Sequence, residues 1–246
     1  MKKTSMYFVG ATMAALALLG LAGQQMSQPR SQATTTKTVL ATKKKVSAKQ
    51  RNQAYYAHPQ IEVKQDQLLL PYPKDFAGFV AKGELTVTGV VTKLQPVVVA
   101  STAYTLATVK VEQVLAGSGA TVEQQIPVLF SGGVISKRTL LADVATKTFM
   151  TAKTDDTQVT VKYPGDPLPQ IGQQYALVLS QETAGTNGLA TAFWMANYGS
   201  KGIFVKHGDQ YQREAQSTSS SSGATHDLQV AEDQLMNAGM TKLSQQ

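Results

Sequence analysis

The sequence predicts a mainly β domain built from antiparallel hairpins, and three observations predict it. From Tyr104 to Phe130, two alternating apolar runs flank a Gly/Ser turn. Ala107, Val109 and Val111 point one way while Thr108, Lys110 and Glu112 point the other, and Ile126, Val128 and Phe130 resume the alternation after Gly117 to Gly119. That is the period-two pattern of half-buried strands, joined here by a loop longer than two residues. Upstream, Leu85, Val87, Gly89 and Val91 alternate with Thr86, Thr88, Val90 and Thr92, and Gly89 stands where a barrel strand can bend. Downstream, Tyr175, Leu177 and Leu179 form a third alternating run.

The chain has 246 residues, a formal net charge of +7 and no cysteine. That length suits one domain with tails. The charge is unevenly placed: no acid precedes Glu62, whereas Lys2, Lys3, Arg30, Lys37, Lys43, Lys44, Lys45, Lys49 and Arg51 all do. The N-terminal arm therefore carries the whole positive excess, and beyond it acids slightly outnumber bases. A basic stripe on a folded face is missing from this pattern, so nucleic acid is not an expected partner. Without cysteine there is no disulfide framework, thiolate metal site or Cys nucleophile, and the fold must rest on its core.

In chain order, Lys2 and Lys3 precede an apolar run from Met6 to Gly23 that closes on Gly20, Ala22 and Gly23. Residues 1–23 read as a Sec signal peptide cut after Ala22 or Gly23, or as an uncleaved signal anchor, the apolar run itself being only a little shorter than the roughly 20 residues that span a bilayer. Both readings imply export. Residues 24–60, rich in Gln, Thr, Ser and Lys, are expected to form a disordered basic stalk ending near Tyr55 and Tyr56. The domain proper is expected over 61–214. After Leu68 to Leu70 and the Pro71, Pro73 break, Asp75 caps a short helix carrying Phe76, Phe79 and Val80. Gly132 and Gly133 end the second hairpin strand, and Ser136 to Thr157 reads as a short helix or an irregular loop around Leu140, Leu141, Val144 and Phe149. Val159, Val161 and Tyr163 make an extended segment stopped by Pro164, Gly165 and Pro167. Asn187-Gly188 supplies a turn into Leu189 to Met195, Ile203 to Val205 a last short strand, and His207-Gly208-Asp209 a turn toward Tyr211.

A Ser-rich linker is expected over 215–225 and a weak amphipathic helix over 226–246, with Leu228, Ala231, Leu235 and Ala238 on its apolar face. Gly239 within that helix costs about 1 kcal/mol against Ala, so the helix needs a docking surface to persist.

The order of these signals resembles a pattern in uncharacterised exported proteins of Gram-positive bacteria, including lactic-acid bacteria. Its marks are the short helix before Leu85 to Val91, then Tyr104-Thr105, Val109, Val111, Val114-Leu115 and Gly117, then Ile126, Val128 and Gly132-Gly133, and finally Pro169, Gly172, Tyr175, Leu177 and Leu179. The resemblance covers somewhat under half of the chain and implies a small OB-like antiparallel β-barrel and export. Its positions are core and turn positions, so it carries over no functional residue.

Catalytic motifs are missing: no GxSxG, SxxK, HExxH, P-loop or GxGxxG occurs. Gly117-Ser118-Gly119 begins like a dinucleotide loop but lies between strands, where a hairpin turn explains it. His58, His207 and His226 are too scattered for a shared zinc site, and His207 with Asp209 reads as a turn. Asp155-Asp156 with Asp166 lacks the alternating acids and Gly of a calcium loop. Leu168-Pro169-Gln170-Ile171-Gly172 looks like a sortase signal, but Ile171 stands where Thr is needed and no apolar tail follows.

No cofactor or metal is therefore expected. Trp194, with Phe193 and Tyr198, is the candidate binding platform, because aromatic faces stack on sugars and mark interfaces. Core packing competes, since both faces of that strand are apolar. The expected function is a non-catalytic exported binding or interaction domain, secreted or tethered to the outer face of the membrane, with cell-wall polymers or surface proteins as partners. Membrane contact would come through the N-terminal segment if it is not cleaved. Two alternatives remain: a membrane-tethered component of a surface assembly, and a wall hydrolase. The hydrolase would need two of Glu112, Glu123, Asp143, Asp155, Asp156, Asp166 and Glu182 in one cleft, roughly 5 to 9 Å apart.

Overall fold

The computed structural model describes residues 46–63, 72–142, 155–214 and 223–246. The expected signal or anchor segment, the expected stalk to residue 45, Leu68 to Leu70, Asp143, Val144 and Phe149, and the Ser tract lie outside the described residues. The elements are α1 (Ala48–Tyr55), β1 (Gln60–Glu62), α2 (Phe76–Val80), β2 (Leu85–Val99), β3 (Thr102–Gly117), β4 (Gln125–Ser131), β5 (Gly133–Ser136), α3 (Lys137–Leu140), β6 (Gln158–Lys162), β7 (Gln174–Glu182), β8 (Phe193–Ala196), β9 (Ile203–His207), β10 (Gln210–Gln212) and α4 (Gly223–Leu243).

The fold is mainly β, and its centre is a five-stranded ring in the order β2-β3-β4-β8-β7, returning to β2. This is an OB-like barrel. The closure is narrow, because β8 offers β4 only the pairs Val128↔Trp194 and Leu129↔Met195, and that pairing is parallel. Every other pair in the ring is antiparallel. The alternation read from the sequence is the one that fills the ring: Ala107, Val109, Val111, Ile126, Val128 and Phe130 share a buried cluster with Leu85, Val87, Val91, Tyr175, Leu177, Leu179 and Trp194.

Long strands must coil to close a barrel, and β2 does so through register shifts at Thr86/Val87, Thr88/Gly89 and Val91/Lys93. Gly89 sits in this bulged region because a Cβ there would lie 2.6 Å from the Lys110 carbonyl oxygen. Outside the ring, β9 and β10 extend the sheet from β7. A second sheet, β1-β6-β5, packs Ile135, Val159, Val161 and Tyr163 with Ala103 of β3. The chain enters it by pivoting at Gly132 and Gly133, both at positive φ. A Cβ on Gly133 would lie 2.4 Å from the Thr105 Oγ1. The sequence reading ended the hairpin correctly at this pivot but did not foresee β5.

Two expectations are corrected. The stalk does not run unstructured to Gln60, since α1 occupies Ala48–Tyr55 and docks. Ser47 and Gln50 form a reciprocal capping box. The Asn52 side-chain amide donates to the Ile171 carbonyl at 3.0 Å and accepts from its N–H at 2.8 Å, while the Tyr56 hydroxyl donates to the Pro169 carbonyl at 2.7 Å. Tyr55 and Tyr56 pack on the barrel core. With so few apolar residues, α1 has no stripe for a periodicity argument to find; polar side chains gripping the backbone hold it.

The second correction concerns α4. It docks, but not through Leu228, Ala231, Leu235 and Ala238, all of which face solvent. Met236 and Met240, both fully buried, pack instead with Phe79, Ala176, Val178, Phe204 and Tyr211.

Candidate functional site

The predicted aromatic platform is not a surface. Phe193 is 1% exposed and Trp194 4%: β8 is paired on both edges by β4 and β7, Trp194 joins the barrel core, and Phe193, its neighbour along the strand, is buried on the opposite face. The loop after β3 lies against the indole: a Cβ on Gly119, at φ +103°, would stand 2.9 Å from the Trp194 Cη2. Tyr198 leaves the other two and joins a cluster on the outer side of the barrel, edge-on to Tyr72 at 5.1 Å and tilted against Phe79 at 5.9 Å.

That cluster surrounds a residue the sequence reading did not single out. Arg213, immediately beyond β10, has a side chain only 3% exposed. Its guanidinium lies 5.0 Å from the Phe204 ring centre, 5.1 Å from Phe79 and 5.6 Å from Tyr72, each a distance at which a cation and a ring face attract. It pairs with Asp233 at 3.1 Å and Glu232 at 3.4 Å on α4, and donates to the Tyr72 hydroxyl. Lys201 joins the same network through Glu232 at 2.8 Å. Burial pushes the Tyr72 phenol up to about 12, against the opposing pull of the Arg213 charge and its hydrogen bond.

The backbone completes the docking. β10 is the sheet edge, and edge N–H groups need partners. The Tyr211 N–H donates to Thr241 Oγ1 and the Arg213 N–H to Asn237 Oδ1, each at 3.0 Å. Two residues of strand advance roughly 6.6 Å and four of helix about 6 Å, so residues 237 and 241 meet residues 213 and 211 in step. Gly239 sits between them because a Cβ there would be 2.3 Å from the Phe76 ring. The residue that lowers the helix's own propensity is the one that lets it seat.

A polar corner adjoins this network. Ser200, Lys201, Arg213, Glu214, Gln229 and Asp233 line a cavity of about 10 Å³, the space of one water molecule. Glu214 pairs with Lys162 at 2.7 Å. Nearby, burial raises the Asp166 carboxyl above its ordinary range, the charge of Glu214 adds to this, and hydrogen bonds from Ser200 and Ser131 oppose it.

The other candidate carboxylates are dispersed. Glu112 accepts from the Gln174 side chain at 2.8 Å, Glu123 pairs with Lys110 at 2.6 Å, Asp155 with Lys137 at 3.3 Å, and Asp156 with Arg138. Hydrogen bonds from Thr157, and then Lys137, lower the Asp155 carboxyl. Glu182 ends β7. Among the described residues no three His, Asp or Glu side chains gather as metal ligands; His58 lies between α1 and β1, His207 at the β9–β10 turn and His226 on α4. The sortase-like segment is the backbone that α1 grips. Among the described residues no helix is long and apolar enough to cross a membrane.

The remaining surface feature is apolar. Gln113, Val114, Leu115, Val122, Leu243 and Gln246 line an open groove of about 290 Å³ between the end of β3 and the end of α4, with Val114 and Val122 exposed. No protein-family model matches the chain, and no curated protein matches it.

Proposed function

We propose that this chain is an exported, non-catalytic binding or interaction domain acting at the cell surface, with wall polymers or surface proteins as its ligands. The observation that carries the reading is where the apolar side chains lie. The barrel interior is filled by its own residues, Trp194 included, while Val114, Val122, Leu228 and Leu235 stand outside on the β3 end, its loop and α4. A domain that spends its interior on packing and keeps apolar groups on its surface is suited to contact rather than to enclosing a substrate. The basic N-terminal arm and the apolar segment before it support placement outside the membrane, released or tethered.

Binding of the mature full-length chain to purified cell wall and to a glycan array tests the reading, with retention on wall material expected. Failure to bind any wall, glycan or surface-protein ligand leaves a structural role alone, such as a tethered component of a surface assembly.

A carboxylate-based wall hydrolase is the second reading, favoured by one observation: Asp166, its carboxyl raised by burial, accepts a hydrogen bond from Ser200, which lines the polar cavity together with Glu214. Turbidity clearance of purified wall separates the two. Clearance that Asp166→Asn abolishes would replace the binding reading with the enzymatic one.

A further inference from the structure

The face of α4 that its sequence marks as apolar is the face the domain leaves bare. Leu228 is 73% exposed and Leu235 49%, and Ala231, Ala238 and Lys242 are exposed beside them. Their spacing alternates between three and four residues, the narrow seam of a paired helix rather than the broader stripe of a helix packed on a core. Met236, Asn237 and Met240 meanwhile fasten the opposite side to the barrel, so the seam is held at a fixed orientation. We propose that it pairs with the same seam of a second copy, the two α4 helices running antiparallel about a two-fold axis.

The sequence of the seam is complementary to itself. In antiparallel register Leu228 faces Ala238 and Ala231 faces Leu235, and the symmetry repeats both contacts. Every layer then holds one leucine and one alanine, the large-against-small alternation that fills a helix interface evenly. The same register leaves Asp227 about 4.5 Å along the axis from the level of Lys242 of the other copy, within reach of that long side chain, and sets the two helix dipoles in opposition. A parallel pair would stack leucine on leucine, alanine on alanine and Asp227 beside Asp227. A lipid surface fits less well, because Asp227, Gln234 and Gln245 flank the seam with Lys242 as its one cation, where interfacial helices carry several Lys or Arg and bulky aromatics. Two leucines and two alanines per copy fall well short of the roughly 800 Å² per partner of a standard interface, so the pair is weak and exchanges rapidly.

Sedimentation velocity of the full chain across a concentration series reads the pairing. The expected result is a sedimentation coefficient that rises with concentration. Leu228→Asp combined with Leu235→Asp abolishes the rise but preserves hydrogen-exchange protection of the Tyr211 amide, which reports that α4 is still docked. Because the chain has no cysteine of its own, orientation is read by mixing Ala231→Cys chains with Leu235→Cys chains under oxidised glutathione. The mixed disulfide should exceed its random share, which for equal amounts is already about twice either same-residue product. A monomer at every concentration, or an excess of same-residue disulfide, overturns the proposal. A monomer that binds glycan would overturn the pairing while leaving the binding function intact.

Discussion

The barrel interior and the layer beneath α4 both exclude solvent, but different forces hold them. Inside the ring the packing is almost wholly aliphatic and aromatic, with contributions from all five strands. Beneath α4, aromatic rings surround a charged guanidinium, and the helix adds to the two buried methionines, Met236 and Met240, a set of single contacts at Arg213, Asn237, Thr241 and the space at Gly239. Non-directional burial spread over many residues is redundant and melts as a unit, whereas a layer resting on a few directional contacts opens by itself. The comparison predicts that α4 opens before the barrel does.

Four changes would break or sharpen that contrast. Trp194→Ala, in the interior, is expected to cost about 3–5 kcal/mol. Fluorescence of the remaining tyrosines and far-UV circular dichroism should shift together in urea. Arg213→Met is expected to cost about 2 kcal/mol, less than a fully buried pair would lose because solvent partly reaches Glu232 and Asp233. Its signature is local: the Tyr211 amide exchanges faster while Val87 and Leu177 keep their protection. Equal loss in both places would show one cooperative unit.

Gly239→Ala tests the sign of an effect. Helix propensity alone predicts a gain of about 1 kcal/mol, but contact with Phe76 reverses it to a loss of about 1 kcal/mol confined to α4. Thermal melting with exchange at Tyr211 distinguishes the two, and a net gain would mean that α4 seats elsewhere. The smallest effect is expected at Asp166. Its carboxyl is raised in the folded state above 3.8, so the folded protein bears a penalty above the folded pKa that disappears below 3.8. Asp166→Asn should therefore stabilise slightly near neutral pH, the least of the four effects. That gain should vanish in acid, as read by urea midpoints across pH.

Legibility followed the same division. Interior residues repeat every second position, so Leu85 to Val91, Ala107 to Val111, Ile126 to Phe130 and Tyr175 to Leu179 announced their strands and their inward faces. Asp75 announced its cap on Gly78 in the same way. Where a single contact decides, no period exists to be read. Asn52 looks like any polar residue of a stalk until Ile171 is beside it. Arg213 looks like the polar end of a domain until three rings enclose it. The misread face of α4 is instructive, because leucine and alanine at heptad spacing signal a helix that wants a partner without saying that methionines on its other side would take the barrel.

From composition and periodicity alone came the β ribbons, their inward residues, the turns at Gly117 to Gly119 and Asn187-Gly188, and the uneven charge, because each is a property of neighbours along the chain. Tertiary structure alone decided that β8 closes the ring and draws Trp194 inside, that α1 is part of the domain, and that Arg213 and Gly239 seat α4. Those outcomes depend on which distant residues come within a few ångströms of one another, a quantity set by the folding of the whole sheet and by no local stretch of it.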